Sequence, residues 1–101
     1  MSINTFMNKN LDLIRDEIIK NIPNKEFDSH EFIRHFARRF EMDYVTFLNK
    51  YPKEPFRNVH SQIGRFLSDK QVQLFIQENG STISSNIFGD STSNESWIKT
   101  K

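Results

Sequence analysis

The residues best suited to chemistry lie between positions 50 and 70. Five basic side chains in this window face two carboxylates: Lys50, Lys53, Arg57, Arg65 and Lys70 against Glu54 and Asp69. The window therefore has a net charge of +3, whereas the whole chain has a net charge of +1. A local positive field of this kind attracts a polyanion even when the molecule as a whole is nearly neutral. A short window can also reach this charge by chance.

The segment 55–70 has the pattern of an amphipathic helix. At about 100° per residue, five apolar side chains share one side, which we predict to face the core: Phe56, Val59, Ile63, Phe66 and Leu67. The opposite side carries Arg57, Asn58, Ser61, Arg65 and Ser68. Gly64 lies on the border. Because glycine costs a helix interior about 1 kcal/mol relative to alanine, it predicts the close approach of another backbone, a phosphate or, most commonly, a neighbouring helix.

Two histidine groups raise the question of catalysis or metal binding. His30 and His35 are about 140° apart on a helix, so they cannot share one metal ion. His60 and Ser61 diverge by about 100°, and no carboxylate is placed to orient the imidazole as in a hydrolase. The glycines are isolated from one another, so the chain has no Gly-rich phosphate loop. We therefore expect no catalytic residues, no metal and no cofactor.

Length and composition predict one intracellular domain. A chain of 101 residues has the size of a single domain, which we assign to residues 1–101 with an ordered core at about 8–99. The chain has no cysteine, which fits a reducing, cytoplasmic setting. Charged residues interrupt the N-terminal segment where a signal peptide needs an apolar run, and no stretch approaches the roughly 18 apolar residues of a membrane span.

Two helices are predicted ahead of the basic one. The first runs from about Asn8 to Asn21 and carries a buried stripe of Leu11, Ile14, Ile18 and Ile22. Asp16 and Lys20, four residues apart, predict a surface ion pair. The second begins at about Ser29, because Asp28 can cap it and Glu31 can complete a capping box. Its buried side is Phe32, Ile33, Phe36 and Phe40.

A short helix and a hairpin complete the expected elements. Asp43 offers a cap for the short helix, and Pro52 and Pro55 stop it. After Lys70 the alternation in VQLFIQ predicts a strand, and Asn79-Gly80 is the strongest short signal for a hairpin turn, with TISSNIF as the partner strand. We expect GDSTSN to form a loop or a second hairpin tip, and SWIK to form a last strand that buries Trp97.

The order of these elements resembles that of winged-helix domains. FDSHEFIRHF resembles the second helix of such modules, RNVHSQIGRFL the helix that enters the DNA major groove, and VQLFIQENGSTISSNIF the wing. QIGRFL is similar to recognition-helix segments of bacterial and mobile-element winged-helix proteins. The resemblance covers about residues 8–99 and implies an α+β domain of three to four helices followed by a two- or three-stranded antiparallel hairpin. The chain departs from the pattern in having the extra segment 43–51 and a wing, 72–90, without lysine or arginine.

The resemblance also implies which residues contact DNA. Arg57, Asn58, Ser61, Gln62 and Arg65 are at the groove-facing positions, where arginine can read guanine, asparagine and glutamine can read adenine, and serine can hold phosphate. Lys53 and Lys70, at the two ends of the helix, are the expected phosphate contacts. The wing, which has no lysine or arginine, is expected to reach the DNA backbone only through amides and hydroxyls.

These observations favour a non-catalytic module that binds double-stranded DNA. The resemblance places it as a regulator or accessory factor of a mobile element or a restriction-type system. The alternative is a protein-interaction or dimerisation module with the same fold, because the wing has no lysine or arginine and carries Phe75 and Phe88. An inhibitor of a host or phage enzyme, including a DNA mimic, is a third class, although the basic window argues against mimicry.

Overall fold

In the computed structural model, which describes Met1–Lys101, helices begin almost at the first residue. Helix α1, Ile3–Lys9, starts at Ser2, whose hydroxyl accepts a hydrogen bond from the N–H of Thr5 at 3.1 Å. The predicted start near Asn8 is therefore wrong. Ile3 and Met7 extend the buried stripe of the first helix towards the N-terminus. The prediction omits them because they precede the repeat of isoleucines.

A π-helical turn follows in place of a regular second half of this helix. Helix α2, Leu11–Leu13, runs into a π-helix at Ile14–Ile19. Ile14, Ile18 and Ile22 are buried as predicted, whereas Leu11 is only half-buried. The wider π turn changes the angle between successive side chains, and Ile19 is buried as well. The predicted ion pair of Asp16 and Lys20 is confirmed at 3.3 Å.

The strand that precedes helix α3 was not predicted. Strand β1, Glu26–Asp28, leads directly into α3, Ser29–Arg39. Three residues are too few to show an alternating pattern, so only the structure reveals β1. The predicted start of α3 is confirmed, since the carboxylate of Asp28 accepts the N–H of Glu31 at 2.9 Å. The predicted buried side is confirmed too: Phe32, Ile33, Phe36 and Phe40.

Helix α4, Glu41–Leu48, begins before the predicted cap. Asp43 lies within its first turn, because α4 starts directly after α3 at Phe40 without a side-chain cap. Pro55 does more than stop the preceding segment: it is in the first turn of helix α5, Pro55–Asp69. Its fixed φ is compatible with that position, where no N–H is needed.

Helix α5 buries the predicted side, with two corrections. Val59, Ile63, Phe66 and Leu67 are buried, while Phe56 is half-buried and packs its ring edge-on against Phe88, with 4.9 Å between ring centroids. No neighbouring helix approaches Gly64, since a Cβ added there would have nothing within 4 Å. The expected helix-to-helix contact at Gly64 is therefore wrong.

The wing is one long hairpin with its tip several residues beyond the predicted turn. VQLF is mostly helix α6, Gln71–Leu74, with Val72 83% exposed. Strands β2, Ile76–Ser85, and β3, Ser91–Lys99, follow. Asn79-Gly80 is not a turn: Glu78 pairs with Trp97 and Ser81 with Glu95, so Gly80, at φ +80°, lies in a bulge within β2. A bulge uses the same positive φ as a turn, which explains the wrong prediction.

The true tip is the loop Asn86–Asp90. The Asn86 carboxamide oxygen accepts the N–H groups of Phe88 at 2.9 Å and Asp90 at 3.1 Å, and Gly89 supplies a positive φ of +86°. Asparagine closes turns of this kind by bonding backbone groups a few residues ahead. Within the predicted loop GDSTSN, therefore, only Gly89 and Asp90 are loop residues.

The sheet joins the wing to the helices through its central strand. The strand order is β1-β3-β2, and both pairs are antiparallel. Trp97 on β3 lies opposite Phe27 on β1 and is 1% exposed, which confirms that it folds onto the core. Its indole N–H donates to the Ser29 hydroxyl at 3.0 Å, so β3 is bonded to the first residue of α3.

Together these elements form the predicted α+β domain, a winged-helix-like arrangement of six α-helices and a three-stranded antiparallel sheet. It has more helices than the three to four predicted, and β1 lies among the helices rather than after them. Twenty buried apolar residues from all parts of the chain form one core. The half-buried ring of Phe6 packs edge-on against Phe36, Phe40 and Phe47, with centroids 5.1 to 6.3 Å apart. None of the helices has the length and apolar character needed to cross a membrane.

The Ser29–Trp97 hydrogen bond gives a test of this arrangement. Replacing Ser29 with alanine leaves the buried indole N–H without an acceptor, which costs about 1–3 kcal/mol. Urea denaturation followed by the fluorescence of Trp97, the only tryptophan, should show this loss. The control is Ser91→Ala, an exposed serine on the same strand, which should stay within about 0.5 kcal/mol of the wild type. Equal stability of the two variants contradicts the proposed role of the bond.

Candidate nucleic-acid interface

Helix α5 presents a polar face that no other element covers. Arg57, Ser61 and Arg65 recur every fourth residue and are all exposed. This spacing keeps them within about 80° on one side of the helix. Arg57 is 80% exposed and has one anionic partner, Glu54, at 3.6 Å. Such an exposed pair contributes little stability, so the guanidinium is available to another anion.

Two of the predicted contact residues are instead bonded within the protein. The Asn58 amide donates to the carbonyl oxygens of Lys53 at 3.1 Å and Glu54 at 3.0 Å. Glu54 has a positive φ of 47°, and Asn58 thus holds the strained turn that starts α5. The Gln62 amide donates to the Tyr51 hydroxyl at 2.5 Å. To hydrogen-bond to DNA bases, Asn58 and Gln62 have to break these internal bonds.

The lysines at the two ends of α5 differ in exposure. Lys53 is exposed in the loop before α5, whereas Lys70 is half-buried and its backbone N–H donates to Phe66 at the end of the helix. Lys50 is directed elsewhere, because its ammonium group donates to the Met1 carbonyl and lies 5.4 Å from the centre of the Phe47 ring. The basic window is therefore spread along α5 and its N-terminal loop.

Two of the three arginines of α3 are bonded within the protein. Arg34 reaches the wing, where it donates to the Ser85 carbonyl at 2.8 Å. Arg39 pairs with Glu17 at 3.2 Å, and Arg38 is exposed.

The wing itself has a carboxylate pair near the bulge. A hydrogen bond with Glu78 raises the pKa of Glu95, because two neighbouring carboxylates are more stable when they share one proton than when both are charged. This part of the wing is not suited to phosphate contact. The tip is different: it exposes the ring of Phe88, and on β2 near the tip the side chain of Ile83 is 73% exposed.

A cleft of about 670 Å³ separates the tip of the wing from the helices. It is lined by the start of α3, by the first half of α5 and by both sides of the wing tip, and includes His30, Arg57, His60, Ser61, Phe88 and Thr92. Sequence reasoning missed this cleft, because its walls are brought together by hydrogen bonds such as that between His30 and Ser84, 54 positions apart. No local pattern indicates such contacts.

Hydrogen bonds hold one wall of the cleft in place. The His30 ring lies 2.9 Å from the Ser84 hydroxyl and 3.3 Å from the Thr92 hydroxyl, so it joins the facing strands of the wing. The backbone N–H of His30 donates to Asn94 at 2.9 Å. The position of the wing is therefore fixed against the N-terminus of α3.

His60 lines the cleft as a neutral ring. Its Nε2 lies 2.6 Å from the Tyr44 hydroxyl, and the two rings are stacked. Burial lowers the pKa of His60 to about 4, helped by the nearby His30. Burial also raises the pKa of Tyr44 to about 12, so the phenol keeps its proton and can donate a hydrogen bond to Nε2. His60 bonds to Tyr44 rather than to Ser61, and no carboxylate lines the cleft.

This arrangement offers hydrogen-bond donors and positive charge. No three side chains of histidine, cysteine, aspartate or glutamate are grouped to hold a metal ion. Comparisons with protein-family models, with curated proteins and with solved structures find no match to this chain. The geometry suits the binding of anions, on the open face of α5 and in the cleft beside it.

The buried His60 predicts a pH dependence of stability. Its pKa is near 6.5 in the unfolded chain and about 4 in the folded chain, so the unfolded state binds the proton more tightly. The contribution of His60 to the free energy of unfolding is therefore fully present above about pH 6.5. It is lost as the pH decreases towards 4, by about 1–2 kcal/mol after allowance for solvent screening. Urea denaturation across this range should show the slope.

His60→Gln provides the control, because glutamine keeps a hydrogen-bonding group without a titrating one. The variant should lose much of the slope between these two pH values. Arg15 lowers the pKa of Asp16 from 3.8 to about 2 through a hydrogen bond. The contribution of Asp16 to stability is therefore lost only below a pH of 3.8 and does not obscure the result. An unchanged slope in the variant assigns the effect to other groups.

Proposed function

We propose that this protein is a non-catalytic, DNA-binding winged-helix module that places α5 in the major groove. The main support is the uncovered polar face of α5, with Arg57, Ser61 and Arg65 one turn apart beside a wing. QIGRFL resembles the recognition helices of bacterial and mobile-element winged-helix proteins. This resemblance supports a role as a regulator or accessory factor of a mobile element or restriction-type system.

The dimensions of α5 suit this role. Fifteen residues give a helix of about 22 Å, and the major groove is about 12 Å wide and admits one helix. Arg57 and Arg65 are two turns apart, about 12 Å along the axis. They can therefore contact different base pairs or the phosphates on either side of the groove. Ser61 lies between them and can donate to a phosphate or a base edge.

The distribution of charge favours contact along α5. Lys53 and Lys70 flank the face, and Arg34 adds a charge at the wing. The carboxylates Glu78 and Glu95 lie towards the base of the wing, where they repel phosphate. With about four to six phosphates neutralised, the slope of log affinity against log salt should be about −4 to −5.

A fluorescence anisotropy titration with duplex DNA tests this proposal. Arg57→Ala combined with Arg65→Ala should weaken binding at low salt by about 1–3 kcal/mol per arginine, and should reduce the salt slope by about one for each phosphate that is no longer neutralised. The matched control is Arg38→Ala, an exposed arginine on α3, which should bind like the wild type. Absence of binding at low salt, or equal affinities for the double variant and the control, contradicts the proposal.

A second candidate function is protein interaction or dimerisation through the wing. It is favoured by the apolar side chains at the wing, where Ile83 is 73% and Phe88 60% exposed in a segment without basic residues. Sedimentation equilibrium across protein concentrations tests self-association. If the wing forms the interface, Phe88→Asp should return a concentration-dependent dimer to monomer, because it places a charge in an apolar contact. A strict monomer at all concentrations argues against dimerisation.

A further inference from the structure

The cleft between the wing and the helices carries an unbalanced set of polar groups. Its walls include one arginine, two histidines and several hydroxyl and amide side chains, but no aspartate or glutamate. On the whole chain, acidic residues are nearly as frequent as lysine and arginine, 13 against 14. The cleft therefore differs from the average surface of this protein in its charge.

Most of the polar groups of one wall are already bonded to each other. Ser29 accepts from Trp97, and His30 bonds to Ser84 and Thr92. Asn86 accepts two backbone N–H groups of the tip. No buried side-chain nitrogen or oxygen lacks a partner. This wall is rigid and does not need a ligand to form, which reduces the entropy lost on binding.

The opposite wall, formed by α5, has donors that remain free. The Tyr44 hydroxyl and Nε2 of His60 share a hydrogen bond. When the hydroxyl is the donor, the proton of the neutral imidazole is on Nδ1. Nδ1 makes no hydrogen bond within the protein and is not buried, and His60 lines the cleft. Together with the Arg57 guanidinium and the Ser61 hydroxyl, it gives three donors within two turns of one helix.

The cleft also has an apolar part. Ile33, Ile87 and Phe88 contribute to its lining, and the Phe88 ring is held edge-on against Phe56 at 4.9 Å. An aromatic ring fixed in this way can pack against a flat ligand ring. The volume of about 670 Å³ lies within the range of about 300–1,000 Å³ that is typical of small-molecule sites.

We propose that this cleft binds a phosphomonoester attached to a flat, uncharged ring system, as in a nucleoside monophosphate. Arg57, Ser61 and His60 hold the phosphoryl group, and the ring lies against Phe88 and Ile87. The phosphoryl group displaces the weak Glu54 partner of Arg57. The site shares Arg57 and Ser61 with the proposed DNA-binding face, so a bound ligand and DNA compete for the same guanidinium and hydroxyl. Its existence does not depend on that function.

The test compares Arg57 with Arg65, which is on the same face of α5 but outside the cleft. Calorimetric titration of the full-length protein with nucleoside monophosphates should show binding that Arg57→Ala weakens about tenfold or more, as expected for loss of a charge-assisted hydrogen bond. Arg65→Ala should bind like the wild type. The unphosphorylated nucleosides should bind at least about tenfold more weakly than the monophosphates.

Further titrations separate the free ligand from the DNA backbone as the source of phosphate. Phe88→Ala should weaken nucleotide binding and leave the weaker binding of inorganic phosphate unchanged, and nucleotide should displace duplex DNA in competition. Trp97 fluorescence verifies that each variant is folded. The proposal is overturned if none of the monophosphates binds, or if Arg57→Ala and Arg65→Ala weaken binding equally. It is also overturned if Arg57→Ala affects only duplex DNA, a result that leaves the DNA-binding function intact.

Discussion

The indole of Trp97 is the contact on which the arrangement of this protein depends. It lies on the central strand, opposite Phe27 on one side and Glu78 on the other, and donates to Ser29 at the start of α3. One side chain thereby fixes the sheet, the wing and a helix to one another. Because the indole is buried and its N–H is bonded, moving the strand by one residue would place a large apolar ring in solvent and leave the N–H unpaired.

The position of the wing determines what α5 can do. The wing folds back so that Phe88 reaches Phe56 at the first turn of the helix, while the face with Ser61 and Arg65 stays open. This geometry creates two adjacent regions with different properties. The open face suits an extended polyanion, and the enclosed cleft suits a small one. Arg57 and Ser61 belong to both, so a ligand in the cleft can alter binding on the face.

The sequence predicted those features that depend on neighbours along the chain. The buried sides of α3 and α5 follow from helical periodicity, and the start of α3 follows from the capping chemistry of Asp28. The wing was harder to predict, because Asn79-Gly80 has the same backbone preference in a bulge as in a turn. The inward bonds of Asn58 and Gln62 and the cleft itself depend on the folded arrangement of the chain, which periodicity does not indicate.

The central claim is that the exposed face of α5 is the surface that meets DNA. The most direct measurement is the change in backbone amide chemical shifts of the isotope-labelled protein on addition of a short DNA duplex at low salt. If this face meets DNA, the largest changes occur along α5, around Arg57, Ser61 and Arg65, with smaller ones at the wing tip. Changes confined to other surfaces, such as α4 or the N-terminal helices, or no changes at all, would contradict it.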